Sequence, residues 1–144
     1  MKEDFKAALQ DAFPGAELAV EIREGYFELF MFQPGLSRPL PMAALSDGTL
    51  RYLLLLTALL SPRPPAFMVL NEPEMSLHSD LLPPLGRLIV KASERGQVIV
   101  VSHSAELVVA LGEAGCPSHV QLEKPFGDTR AVGHEEPRWE WPSR

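Results

Sequence analysis

A chain of 144 residues, 46% apolar and 22% charged, is long and apolar enough for one domain with a buried core. Its net charge of −6, with 13 basic residues scattered rather than clustered, excludes a segment that coats nucleic acid unaided, because that mode displaces counterions with grouped Lys and Arg. A single cysteine, Cys116, excludes an intrachain disulfide and a cysteine-based zinc site and fits a reducing cytoplasm.

The first residues, MKEDFKAALQDAFPG, are amphipathic and lack the apolar region of a signal peptide. They predict a helix over 3–12 with Phe5, Ala8, Leu9 and Ala12 on one face, ended by Pro14-Gly15. Leu18, Val20 and Ile22 then alternate with Ala19, Glu21 and Arg23, the period of a strand. Glu24-Gly25 makes a turn into a second strand, Tyr26 to Phe32, giving an antiparallel hairpin. Residues 33–44 are expected to be a proline-rich loop. A leucine-rich helix follows from about Thr49 to Leu60. Its apolar run, Tyr52 to Leu60, is too short to span a bilayer, so a cytoplasmic protein with no membrane partner is expected.

Past the rigid SPRPP turn, Ala66 to Leu70 has the continuous apolar character of a strand buried on both faces. Ser79 to Arg95 predicts a helix, kinked or delayed by Pro83-Pro84 and closed by Gly96. Gln97 to Val101 is a second buried strand, and Ala105 to Leu111 a helix ended by Gly112. Residues 118–123 and 129–133 are expected to be two short strands. In the tail, Trp139 and Trp141 alternate as on one face of a final strand. Strand and helix alternating from Ala66 to Leu111 imply parallel strands with right-handed crossovers.

Three segments carry chemistry. Leu45-Ser46-Asp47-Gly48-Thr49-Leu50-Arg51 places a serine N-cap and a glycine at a helix start, where outward N–H groups and the helix dipole attract anions. An ordinary capped helix explains the same residues. In AFMVLNEPE a buried strand delivers Asn71 and Glu72 at its carboxyl end, the edge where open α/β sheets bind ligands. Adjacent residues there face opposite sides, so one suits a metal's water shell and the other a nucleophilic water. The plain alternative is a strand leaving into a turn fixed by Pro73. In VIVVSHS a second strand ends in Ser102, His103 and Ser104. His103 suits a phosphate oxygen, whereas Ser102 or Ser104 alternatively only caps the next helix. Arg51 is expected in a surface salt bridge, with a pairing to Glu72 or a phosphate as the alternative, and His78 and His119 have no partner at metal-ligand spacing.

In this order and spacing the segments resemble ABC-type ATPase heads, especially the SMC/RecF/OLD-like AAA proteins of bacteria. LSDGTLR is similar to their LSxGxxR signature, FMVLNEPEMSLH to the extended Walker B and D-loop, and VIVVSHS to the switch-histidine segment. The resemblance implies an α/β, three-layer P-loop NTPase domain with parallel core strands, an N-terminal β-hairpin and a C-terminal antiparallel hairpin. It implies one domain over 1–144, with its motif core at 45–104. It implies that Ser46 and Gly48 contact the γ-phosphate of ATP held by an opposite subunit, Glu72 polarises the attacking water and His103 senses the γ-phosphate. Met75, Ser76, Leu77 and His78 would form the loop crossing a dimer interface, and Mg2+ would accompany ATP in a complete head.

Two departures shape the expectation. Asn71 stands where the family has its magnesium-coordinating aspartate, which keeps an acceptor oxygen but removes the charge. No GxxxxGK followed by Ser or Thr occurs, and none of the four lysines, Lys2, Lys6, Lys91 and Lys124, follows a glycine. Without that loop there is no nest of N–H groups for the β-phosphate. The expected function is therefore an ATPase segment supplying signature, Walker B strand and switch histidine. It is expected to be inactive until a Walker A-bearing segment or second head joins it, and to meet DNA only through a larger assembly. The alternative is a non-catalytic, ATPase-like interaction or regulatory module.

Overall fold

The computed structural model describes residues 2–116, 118–124, 126–127 and 129–133. Helix α1 (Lys2–Ala12) turns Leu9 into the core, with Phe5, Ala8 and Ala12 packed beside it as the apolar spacing requires. Strands β1 (Glu17–Arg23) and β2 (Tyr26–Phe32) pair antiparallel from Glu17↔Phe32 to Arg23↔Tyr26. Glu24 and Gly25, with φ of 51° and 83°, make the two-residue turn whose twist matches a hairpin.

The stretch expected as loop over 33–44 is partly ordered into the sheet. Leu40–Pro41 forms β3, antiparallel to β2, followed by a 3-10 turn at Met42–Ala44. Strand β3 is an edge strand of the sheet, where a residue without an N–H leaves no ladder bond broken.

Helix α2 (Asp47–Leu59) starts two residues before the leucine pattern does, because Ser46 caps it by accepting the Thr49 N–H at 3.2 Å. It buries Tyr52, Leu53, Leu56 and Leu59. Strands β4 (Phe67–Asn71) and β5 (Gln97–Val101) are parallel, in register from Phe67↔Gln97 to Asn71↔Val101. Between them a 3-10 turn (Ser79–Leu81) leads into α3 (Leu82–Ser93). Pro83 falls in the first turn of α3, where its missing N–H has no helical partner, so the prolines set the start instead of kinking the helix.

Helix α4 (Ala105–Glu113) runs through Gly112, the expected terminator. The residue that ends it is Gly115, at φ 97°. There the Cys116 N–H reaches the Leu111 carbonyl at 2.9 Å and the Gly115 N–H reaches that of Gly112 at 3.0 Å, a Schellman closure. The last two strands are shorter than expected: β6 (Leu122–Glu123) pairs antiparallel with β7 (Arg130–Ala131). Trp139 and Trp141 lie outside the described residues.

The core joins Leu9, Met31, Tyr52, Leu56, Leu59, Leu85 and Leu107, each essentially without solvent contact. Burying each such side chain stabilises by about 1.5–3 kcal/mol. Ion pairs clip α1 to α3: Asp4 to Lys91 at 2.5 Å, and Asp11 to Arg87 through two bonds of 2.8 Å. The fold is thus α/β, with a parallel pair at its centre and antiparallel hairpins at either end. Met68, Leu70, Val98 and Val100 face the core, whereas Phe67, Val69, Ile99 and Val101 on the opposite sheet face are 42–52% exposed. Among the described residues no helix is long and apolar enough to cross a membrane.

Candidate functional site

Because β4 and β5 run parallel, their carboxyl ends share one edge. The Glu72 N–H extends the ladder by one bond, to the Val101 carbonyl at 2.8 Å. The chain then turns sharply. Glu72 (φ 45°) and Ser76 (φ 66°) both occupy the left-handed region that side chains disfavour, each at a cost of about 1–3 kcal/mol. The surroundings over-determine the turn. The Glu72 carbonyl accepts the Met75 N–H at 3.1 Å and Arg51 Nη2 at 3.0 Å, and the Glu74 carbonyl accepts the Leu77 N–H at 2.9 Å. Arg51 is therefore not in the surface salt bridge expected of it. It ties α2 to the backbone of Glu72 through the carbonyl that the turn points at it, a pairing with Glu72 made by its main chain and not its carboxylate.

The strained turn aims Glu72 at the loop after β5. His103 Nδ1 lies 3.1 Å from Glu72 Oε1, with the ring 79% and the carboxylate 32% exposed. Ser104 caps α4 through the Leu107 N–H at 3.2 Å, so the plain reading of that serine holds and His103 sits immediately before a fixed helix start. Ser102 does something different. Its hydroxyl donates to Glu74 Oε1 and accepts the Ser104 N–H at 3.0 Å. Sequence reasoning passes over Glu74; its one signal is a second carboxylate two residues beyond Glu72, on the same turn.

The start of α2 meets this turn from the other side. A β-carbon on Gly48 would stand 2.6 Å from the Ser76 carbonyl oxygen, so only glycine lets the two backbones approach. Ser46 Oγ lies 2.9 Å from Thr49 Oγ1 beside its capping bond. Within the loop, Leu77 packs on the core while Met75, Ser76 and His78 are exposed. His78 Nδ1 lies 3.3 Å from Asp80 Oδ2 and accepts the Asp80 N–H at 3.4 Å. Asn71, exposed at the tip of β4, borders a shallow hollow of about 340 Å³ lined also by Arg51, Leu54, Val69 and Pro73. Among the described residues no three of His, Cys, Asp and Glu gather where they would hold a metal ion. The three sequence segments thus touch in series: Gly48 on Ser76, Arg51 on Glu72, and Glu72 on His103.

Residues 2–110 match the family described as "AAA domain, putative AbiEii toxin, Type IV TA system". Among solved structures, the fold is similar to an SMC ATPase described for ATP-driven dimerization and DNA-stimulated activation, at 16% identity and a TM-score of 0.72 over 90% of this chain and 80% of that one. It is similar to the SMC head domain from Thermotoga maritima, at 25% identity and a TM-score of 0.65, covering 93% of this chain and 47% of that one. It is also similar to the Smc head with coiled coil and joint from Pyrococcus yayanosii, at 17% identity and a TM-score of 0.69, covering 90% and 26%. The chain spans less than half the length of the latter two. No curated protein matches the sequence. With three-quarters of its length in that match and the P-loop NTPase fold of SMC heads, the chain belongs to this AAA-domain family of ATPase heads.

Proposed function

We propose that the chain supplies the signature helix, Walker B strand and switch histidine of an ATP-hydrolysing head, and that turnover requires a Walker A-bearing segment or second head. The observation that carries this reading is the open pair of Glu72 and His103, set on one sheet edge beside the Ser46–Gly48 helix start. A carboxylate at such an edge orients a water and takes its proton. His103 presents Nδ1 to Glu72, which leaves Nε2 on the solvent side of the ring. As an imidazolium it donates to both Glu72 and a phosphate oxygen; the neutral ring with its proton on Nδ1 serves Glu72 alone. Ser46 and Gly48 open a helix whose N–H groups and dipole suit the γ-phosphate of a nucleotide held by the opposite subunit.

Magnesium, when bound with ATP, would neutralise charge on the phosphates. The residues fit it in a weakened form: Asn71 is exposed next to Glu72 and offers an amide oxygen to the ion's hydration shell, without a carboxylate's charge. The need for a second part is supported by the exposed apolar face of β4 and β5, since parallel sheets are almost always covered on both faces. The missing phosphate loop supports it too. Ser76, Leu77 and His78, beside Gly48, would lie at the dimer interface. The assembled head would act in the cytoplasm and reach DNA only through larger assemblies.

The test is ATP hydrolysis by the purified chain, alone and co-expressed with the Walker A half of an SMC-type head. Background alone, with turnover on assembly that Glu72→Gln abolishes, is the expected result. Glu72-dependent turnover by the chain alone would refute the need for a partner. A second reading, a non-catalytic interaction module, is favoured by Asn71 in the aspartate position. Calorimetry of the assembled head decides between them, because that reading requires no Mg-ATP binding.

A further inference from the structure

We propose that Glu74 is a positioning residue that acts through Ser102 to hold His103 against Glu72. The proposal rests on the functional reading above for its purpose, but its geometry stands on the described residues alone. Glu72 and Glu74 belong to one turn, closed by the Met75 N–H on the Glu72 carbonyl and the Leu77 N–H on the Glu74 carbonyl. Their two carboxylates reach two consecutive residues of the loop after β5. Glu74 takes the hydroxyl of Ser102 and Glu72 takes the imidazole of His103.

A serine hydroxyl has one proton to give. Donated to Glu74, it fixes the direction of the Ser102 lone pairs, one of which accepts the Ser104 N–H at 3.0 Å. Ser104 in turn caps α4. The series Glu74, Ser102, Ser104, α4 therefore spans the loop on either side of His103, whose ring is mostly in solvent and has little packing of its own. The second oxygen of Glu74, Oε2, is buried with no partner among the described residues. A buried carboxylate oxygen without a donor is unfavourable, which argues that Glu74 is not there to stabilise the fold.

The experiment uses this full chain without nucleotide and follows amide hydrogen exchange together with the ¹⁵N shift of His103 Nδ1. Glu74→Ala touches neither Ser104 nor His103, yet it is expected to speed exchange at the Ser104 amide about tenfold and to move the His103 Nδ1 resonance. Core amides such as Leu56 and Leu88 should be unchanged. Glu74→Gln retains an acceptor oxygen and should keep the Ser104 rate within about twofold of the parent. If Glu74→Ala does not fold, Ser102→Ala and Ser102→Thr carry the test: the first must shift His103 Nδ1 and the second must restore it. An unmoved Ser104 amide and His103 resonance in Glu74→Ala, or exchange rising equally at Leu56 and Leu88, overturns the proposal. In an assembled head, Glu74→Ala should lower kcat about tenfold with KM unchanged. Failure of every assembly to hydrolyse ATP would refute the functional reading and leave the exchange result standing.

Discussion

The carbonyl oxygen of Ser76 lies 2.6 Å from where a β-carbon on Gly48 would begin. The helix start and the turn after β4 therefore meet backbone to backbone, and neither can yield without moving the other. Gly48→Ala should lower stability by about 1–3 kcal/mol through this overlap, although alanine is the better helix former by about 1 kcal/mol. A lower urea midpoint with an unchanged slope is the expected measurement.

Ser76 holds a φ of 66° without being glycine. Ser76→Gly removes the steric penalty of that conformation, worth about 1–2 kcal/mol, and gives back part of it in unfolded-chain entropy. Its midpoint should equal or exceed that of the parent. Ser76→Val, β-branched in a left-handed position, should fall below it by about 1–2 kcal/mol.

Tyr52 is fully buried and its hydroxyl has no partner among the described residues. Burial first, and then the negative charge of Asp11, push its pKa well above the ordinary tyrosine value. A raised folded value means that the stability linked to the neutral phenol is fully present below pH 10 and is lost as pH climbs above it. Tyr52→Phe should be neutral or stabilising by about 1 kcal/mol at pH 7. It should also flatten the alkaline limb of Tm against pH, measured from pH 8 upward.

Asp4 is held well below the usual carboxylate range by its hydrogen bond from Lys91 and by the charge of that ammonium. A depressed folded value gives stability that is present above the unfolded carboxylate pKa of 3.8 and lost as pH falls below it. Asp4→Asn should leave Tm little changed at high salt and weaken its fall in acid. Protection of the α1 amides should drop before that of α2.

Asn71→Asp restores a charge at the tip of β4. In an assembled head it should tighten Mg2+ binding about 10–100-fold, the range seen when a residue supporting a metal is exchanged. The midpoint of a magnesium titration of ATP hydrolysis reports it, and an unmoved midpoint would place the ion away from Asn71.

Much of the architecture is legible in the residues. Alternation from Leu18 to Ile22 sets the hairpin, and the apolar runs Ala66 to Leu70 and Gln97 to Val101 set two strands one helix apart. Ser46, Glu72 and His103 stand out because each is a polar group at the end of an apolar element. Local pattern misleads where two signals compete. Gly112 and Gly115 both follow the last apolar turn of α4, and only the Leu111 carbonyl, reached from Cys116, selects the second. Pro41 masks the pairing of Leu40 with Met31, because that contact depends on where β2 already lies.

Sequence by itself determined the main helices and strands, their order and the three polar tips, though not β3, because propensity, periodicity and capping are properties of neighbouring residues. Tertiary structure alone decided that Gly48 must meet Ser76, that Arg51 serves the Glu72 carbonyl, and that Glu74 reaches Ser102. Those contacts join residues 21 to 28 positions apart, across a left-handed turn that no local preference favours. Such a turn persists only because the packed helix and the neighbouring strand hold it from both sides.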